Sequence, residues 1–308
     1  MPVLPTFAPG RLRKTDFAAE WCGIGVILLL DAVLGAAIGF RVIFVWRDGL
    51  LLGSALCVML ALRGFALRRG ALMAEYFSIT AGATVAFGVL SYICMAHGAA
   101  PLADGMLQRI DAALGFDWLY WYHIMFAHRW AALTFQFLYN SLVYQGLYFG
   151  LLLALLDRKA QLREMFWLVF IAGLFTSAGA YLWPAMGPFK EFGLESNGDF
   201  LGPMAHLRSG HNLTFMLHQM TGVVSFPSFH TTMALAYIYG FRQTGPIGVL
   251  IGVLNIGMLI AIPFFGGHYL VDMIAGAVVA VMSLAVVKAG QVLLAPRGEI
   301  LSTPVPAG

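Results

Sequence analysis

A histidine and an aspartate four residues apart, His268 and Asp272, follow a glycine pair, Gly266 and Gly267, at the start of an apolar stretch. On a helix, that spacing puts both side chains on one face, one turn apart. A carboxylate so placed can accept the proton of one imidazole nitrogen and leave the other free as a nucleophile. A second histidine, His230, stands thirty-eight residues earlier, at the end of Ser225-Phe226-Pro227-Ser228-Phe229-His230. Imidazole titrates near the range where a general acid is most useful, so His230 suits protonation of a leaving oxygen. Ser228 and the first amides of a helix starting there suit a phosphate, because a helix N-terminus offers unpaired N–H groups and the positive end of the dipole. Gly267 and its neighbour let the backbone come close to a ligand. The pattern points to nucleophilic attack on phosphorus. A metal site built from the two histidines and Asp272 is conceivable, but nothing supplies the HExxH helix of zinc proteases, and no cofactor is expected.

The elements that carry these residues belong in a bilayer. Of 308 residues, 60% are hydrophobic and 11% charged, and mean hydropathy is +0.82. Soluble domains carry about 25% charged residues. A net charge of +3 also excludes an electrostatic nucleic-acid footprint. Cys22, Cys57 and Cys94 are scattered through apolar runs and read as small hydrophobes. Eight stretches have the length and polarity of membrane spans: 21–44, 49–67, 73–97, 130–156, 165–183, 224–241, 246–264 and 269–294. The expected fold is an all-α polytopic bundle of about eight membrane spans, six of which form the core that the family resemblance given below implies.

With the N-terminus cytoplasmic, alternating spans put twelve basic residues inside, including Arg11, Arg13, Lys14, Arg158, Arg163, Arg242, Lys288 and Arg297, and six outside. Both termini are then cytoplasmic. His230 and His268, joined by two crossings, return to one level at the extracytoplasmic face. Residues 1–97 read as a tail and three spans, and 98–129 as an interfacial segment. In that segment Asp104, Arg109, Asp111 and Asp117 stay wet and Trp118, Tyr120, Trp121 and Tyr122 sit at headgroup level. Residues 130–294 form a catalytic membrane core with an outer loop at 184–223, and 295–308 a flexible tail. Asn140 and Gln145 are expected to bond between helices, and Asp31 to pair with a neighbouring one.

Phe226-Pro227-Ser228-Phe229-His230 and Gly267-His268-Tyr269-Leu270-Val271-Asp272 resemble the second and third signature motifs of the type 2 phosphatidic acid phosphatase superfamily. The match is nearest to its aureobasidin-resistance, or inositol phosphorylceramide synthase-like, branch. Asp111-Ala112-Ala113-Leu114-Gly115-Phe116-Asp117-Trp118 is similar to that branch too, and the resemblance covers roughly 100–290. It implies that His268 attacks phosphorus to form a phosphohistidine, that Asp272 orients it, that His230 protonates the leaving group, and that no metal takes part.

One feature of the phosphatases is missing. Their Lys-x6-Arg-Pro motif does not occur in this chain, and Ile262 stands where their third motif has an arginine. Trp183-Pro184-Ala185-Met186-Gly187-Pro188 is similar to the Pro-rich element of the synthase-like branch. Charge developing on a phosphoryl group in flight still needs stabilisation. Arg242 lies a helix away, about 25 Å. Arg208 and then Lys190, in the outer loop, are the expected substitutes. The expected substrate is a phospholipid or lipid phosphate among the membrane lipids, with water, a polyol or a lipid hydroxyl as acceptor. The competing reading is a phospholipid transporter or scramblase that cleaves no bond.

Overall fold

The computed structural model describes residues 17–64, 68–97, 100–195 and 200–294. The chain ends expected as tails lie outside the described residues, and with them Arg11, Arg13, Lys14 and Arg297. In chain order the elements are α1 (Ala18–Ile38), β1 (Arg41–Ile43), α2 (Trp46–Gly64), α3 (Arg68–His97), α4 (Asp104–Ala113), α5 (Trp118–Ala127), α6 (Arg129–Leu155) and α7 (Lys159–Leu182). Then follow α8 (Pro188–Glu191), α9 (Leu201–Ser209), β2 (Thr214–Met216), α10 (Phe229–Phe241), α11 (Pro246–Phe265) and α12 (Leu270–Leu294).

Long apolar runs can satisfy their backbone groups in lipid only as helices. Among the described residues six qualify by length and composition to cross a membrane: α1, α3, α6, α7, α11 and α12. The protein is a multi-pass, all-α membrane bundle. The expected spans at 49–67 and 224–241 are helical but fall short of that measure. α10 has 13 residues, about 20 Å of helix. It starts only at Phe229 because Ser225–Ser228 enter it in non-helical backbone capped by Ser228.

α7 is the central helix. Its apolar window is 56% buried, against 22% for α1 at the periphery. α7 packs against α3, α10 and α12, and Met165, Phe166, Phe170, Met233, Tyr237 and Phe241 fill the space between them. Outward faces remain apolar, as with Val249, Val253 and Ile256 on α11 and Val278 and Val281 on α12, which suits lipid tails. Within the bundle, Asn255 of α11 donates to Gln145 of α6 at 2.7 Å, and Gln145 to Ser141 at 2.7 Å. Gln145 thus bonds between helices as expected, whereas Asn140 is exposed. Asp31 is buried, and neither carboxylate oxygen has a hydrogen-bond partner among the described residues. The pairing expected for it is not seen.

The segment 184–223 is largely folded among the described residues. It contains α8, α9, β2 and a 3₁₀ turn at Leu217–Gln219. β2 pairs in parallel with β1, Val42 opposite Phe215. Phe40, Tyr92, Met186, Met204 and Leu207 form a separate apolar cluster beneath it.

Candidate active site

α10 and α12 are clasped at their N-terminal ends. The Ser228 amide donates to the Asp272 carbonyl at 3.0 Å, and the Thr232 hydroxyl to that of Gly276 at 2.8 Å. A Cβ on Gly276 would meet the Ser228 carbonyl oxygen at 2.4 Å, so only glycine permits this approach. The clasp brings His230 and His268 together, with ring centroids 6.2 Å apart and planes tilted by 56°.

His268 sits in the connection between α11 and α12 and is 2% exposed. Its Nδ1 lies 2.8 Å from the Ser225 carbonyl and 3.5 Å from Oδ2 of Asp272. Since a carbonyl can only accept, Nδ1 carries the proton and Nε2 keeps its lone pair. Burial pushes the imidazole down to about 4, partly opposed by the Ser225 carbonyl, so the ring is neutral at physiological pH. The nearest acceptor is therefore a backbone carbonyl, one step away from the expected Asp272. Asp272 is fully buried and accepts from the Tyr269 amide at 2.8 Å and the Ser225 hydroxyl at 3.2 Å. It binds together the two segments that hold His268.

Two aspartates of α4 hold the same segments from outside. Asp104 accepts from the amides of Met186 and Gly187, the latter at 2.6 Å, and from the Tyr269 hydroxyl at 3.4 Å. Asp111 accepts from the amides of Leu270 at 2.7 Å and Val271 at 2.9 Å, capping α12. Burial holds the Asp111 carboxyl above its ordinary value, and those two amides pull it back. Both residues were expected to be wet, but they are 4% and 2% exposed. Backbone amides take the place of water: the charges are buried because they are hydrogen-bonded. Asp117 is exposed as expected and caps α5, accepting from the Tyr120 amide at 2.9 Å. Trp118 is buried, its indole N–H on the Pro263 carbonyl at 3.1 Å, whereas Tyr120 and Trp121 are exposed.

Gly187 and Gly267 face each other with φ of +89° and +63°. A Cβ at Gly187 would stand 2.3 Å from the Gly267 carbonyl oxygen, and one at Gly267 would meet the Phe189 ring at 2.8 Å. The segment after α7 and the one before α12 thus touch through backbone; the approach at Gly267 is to Gly187 and Phe189, whereas a ligand was expected there.

The remaining candidates are placed differently. Ser228 is fully buried, and its hydroxyl accepts from the Thr231 amide at 3.3 Å and the Thr231 hydroxyl at 3.2 Å; it serves as the N-cap of α10. Arg208 donates to the carbonyls of Ala100 at 2.7 Å and Met95 at 3.4 Å, at the end of α3. Its guanidinium, held below its ordinary value by burial, anchors α9 there. Lys190 is exposed on α8, next in sequence to the Phe189 that covers Gly267. Neither cation is brought against the two histidines.

Sequence reasoning missed two residues. Asp104 was legible in principle, since it lies seven residues before Asp111 and hence on the same face of α4. Tyr139 of α6 stacks on His230, with centroids 4.6 Å apart and planes 14° from parallel. One tyrosine in an aromatic-rich span gives no sequence signal.

No curated protein and no solved structure matches the chain. A family model described as the PAP2 superfamily matches residues 105–286, a stretch that contains His230, His268 and Asp272. With more than half of its length covered by that match, the chain belongs to the PAP2 superfamily.

Proposed function

We propose that the protein is a metal-independent lipid phosphatase or phosphotransferase that works through a phosphohistidine at His268. Superfamily membership supports phosphatase-type activity on lipid phosphates in general. The observation that carries the finer reading is the meeting of two imidazoles 6.2 Å apart, one with a free Nε2. In the first step, Nε2 of His268 attacks phosphorus, the bond to the leaving oxygen breaks, and His230 gives that oxygen its proton. In the second, water or an alcohol attacks phosphorus, the phosphorus–nitrogen bond breaks and returns the electron pair to Nε2, and His230 takes the acceptor's proton. Asp272 holds His268 and balances the positive charge that grows on its ring.

The donor is a phospholipid or lipid phosphate at the extracytoplasmic face. The acceptor is water, or a polyol or lipid hydroxyl in the manner of inositol phosphorylceramide synthase. Purified protein incubated with a panel of phospholipids and lipid phosphates, with and without inositol, tests this by mass spectrometry of the products. Released phosphate or an exchanged headgroup, lost in His268→Ala and unaffected by chelator, is the expected result. Lipid translocation without any cleaved bond would replace the enzyme with a scramblase.

A further inference from the structure

Beside His230 stands a polar side chain of α6. Tyr139 is wedged in the bundle, its ring stacked on His230 and 6.4 Å from Phe265. Met258 and Ile262 form the apolar cluster that it packs against. The stack fixes the phenol relative to the imidazole, so the hydroxyl has one position. A Cβ built on Gly266 would stand 3.0 Å from that hydroxyl and 2.7 Å from Cδ2 of His268. Cδ2 is the ring atom bonded to Nε2. The hydroxyl and the nucleophile's edge therefore border the same small space, which exists because residue 266 has no side chain. The hydroxyl has no hydrogen-bond partner among the described residues, while its O–H is a donor that needs one.

We infer that the Tyr139 hydroxyl is a phosphoryl-oxygen donor of this site, binding a non-bridging oxygen of the phosphate ester held between His230 and His268. The inference rests on the proposed reaction at His268. It assigns to a neutral phenol part of the work that a cationic clamp performs elsewhere, and the donor is preorganised by the stack before any substrate arrives. Charge on the non-bridging oxygens is met by a group that neither charges nor discharges during turnover.

Inorganic vanadate, which takes up the five-coordinate geometry of phosphorus in flight, is the probe. In Tyr139→Phe the ring and its stack remain and only the hydroxyl goes. The expected result is vanadate binding weakened about 10- to 100-fold, as for loss of one hydrogen bond to a charged acceptor. The kcat for a lipid phosphate should fall about 100-fold with KM little changed, at an unchanged melting temperature. Gly266→Ala, which puts a methyl group into the shared space, should weaken vanadate binding as well. Unaltered vanadate affinity in Tyr139→Phe would overturn the assignment, and so would activity lost only in step with thermal stability. Vanadate bound equally well by His268→Ala and the unsubstituted protein would instead sink the reaction at His268, which separates the two failures.

Discussion

The two ends of the bundle treat buried carboxylates in opposite ways. At the end away from the site, Glu20 is fully buried and meets Arg163 at 2.8 Å and the Trp167 indole at 3.0 Å, while Glu164 meets Lys288 at 2.9 Å and the Tyr239 hydroxyl at 2.7 Å. Those acids are neutralised by long, flexible cations that join α1 to α7 and α7 to α12. At the site end Asp104, Asp111 and Asp272 take backbone amides instead. A salt bridge tolerates a shifted partner, because a lysine or arginine stem can follow it. An amide does not move without its backbone. Carboxylates at the site end therefore fix the path of the main chain at Met186–Gly187 and Tyr269–Val271, the two segments whose glycines touch. Pairing with cations serves cohesion; pairing with amides serves geometry.

The largest expected effect is at the meeting point of the fixed segments. His268→Ala should reduce turnover to background and abolish any acid-labile phosphoprotein, and His230→Ala should lower turnover by at least about 100-fold. Normal melting curves for both would show that the loss is chemical.

Next comes a direct contrast between the two ends. Asp104→Ala strips the acceptor from two buried amides and should cost about 2–4 kcal/mol. It should also slow the folded enzyme, because the Gly187–Gly267 contact loses its support. Glu20→Gln should cost about 1 kcal/mol and leave turnover per folded molecule unchanged. Equal kinetic effects from the two would erase the distinction between cohesion and geometry.

A smaller effect concerns pH. Because burial lowers His268 to about 4, the nucleophile is neutral above that value and protonated below it. If protonation of the nucleophile sets the acid limb, activity should persist as pH falls through 6 and drop only near 4. An acid limb at the ordinary histidine value of about 6.5 would mean that water reaches the ring. The smallest effect is that of Ser228→Ala, which removes a helix cap worth about 1 kcal/mol. A loss of turnover greater than the loss of folded protein would return Ser228 to the phosphate.

How much of this was legible beforehand depends on the range of the interaction. His268, Asp272 and Gly267 were found from local spacing, and the return of His230 to the same end follows from two crossings. The amide-bound state of Asp104 and Asp111 was not legible, because their partners lie 82 and 159 residues away in sequence. Expecting them to be wet was sound for acids in an interfacial helix; the partners overrode it. Ser228 shows the converse. Its hydroxyl was expected at a phosphate, and in the fold it caps α10.

By itself, then, the chain determined that this is a helical membrane protein carrying two histidines and an aspartate fit for phosphoryl chemistry. Hydropathy, helical period and residue chemistry act over a few neighbours and can be read along one dimension. Packing alone decided that a carbonyl of Ser225 sets the tautomer of His268, that Arg208 is spent on the end of α3, and that Tyr139 lies against His230. Each of those depends on which sequence-distant groups the fold brings together, and that cannot be read from near neighbours along the chain.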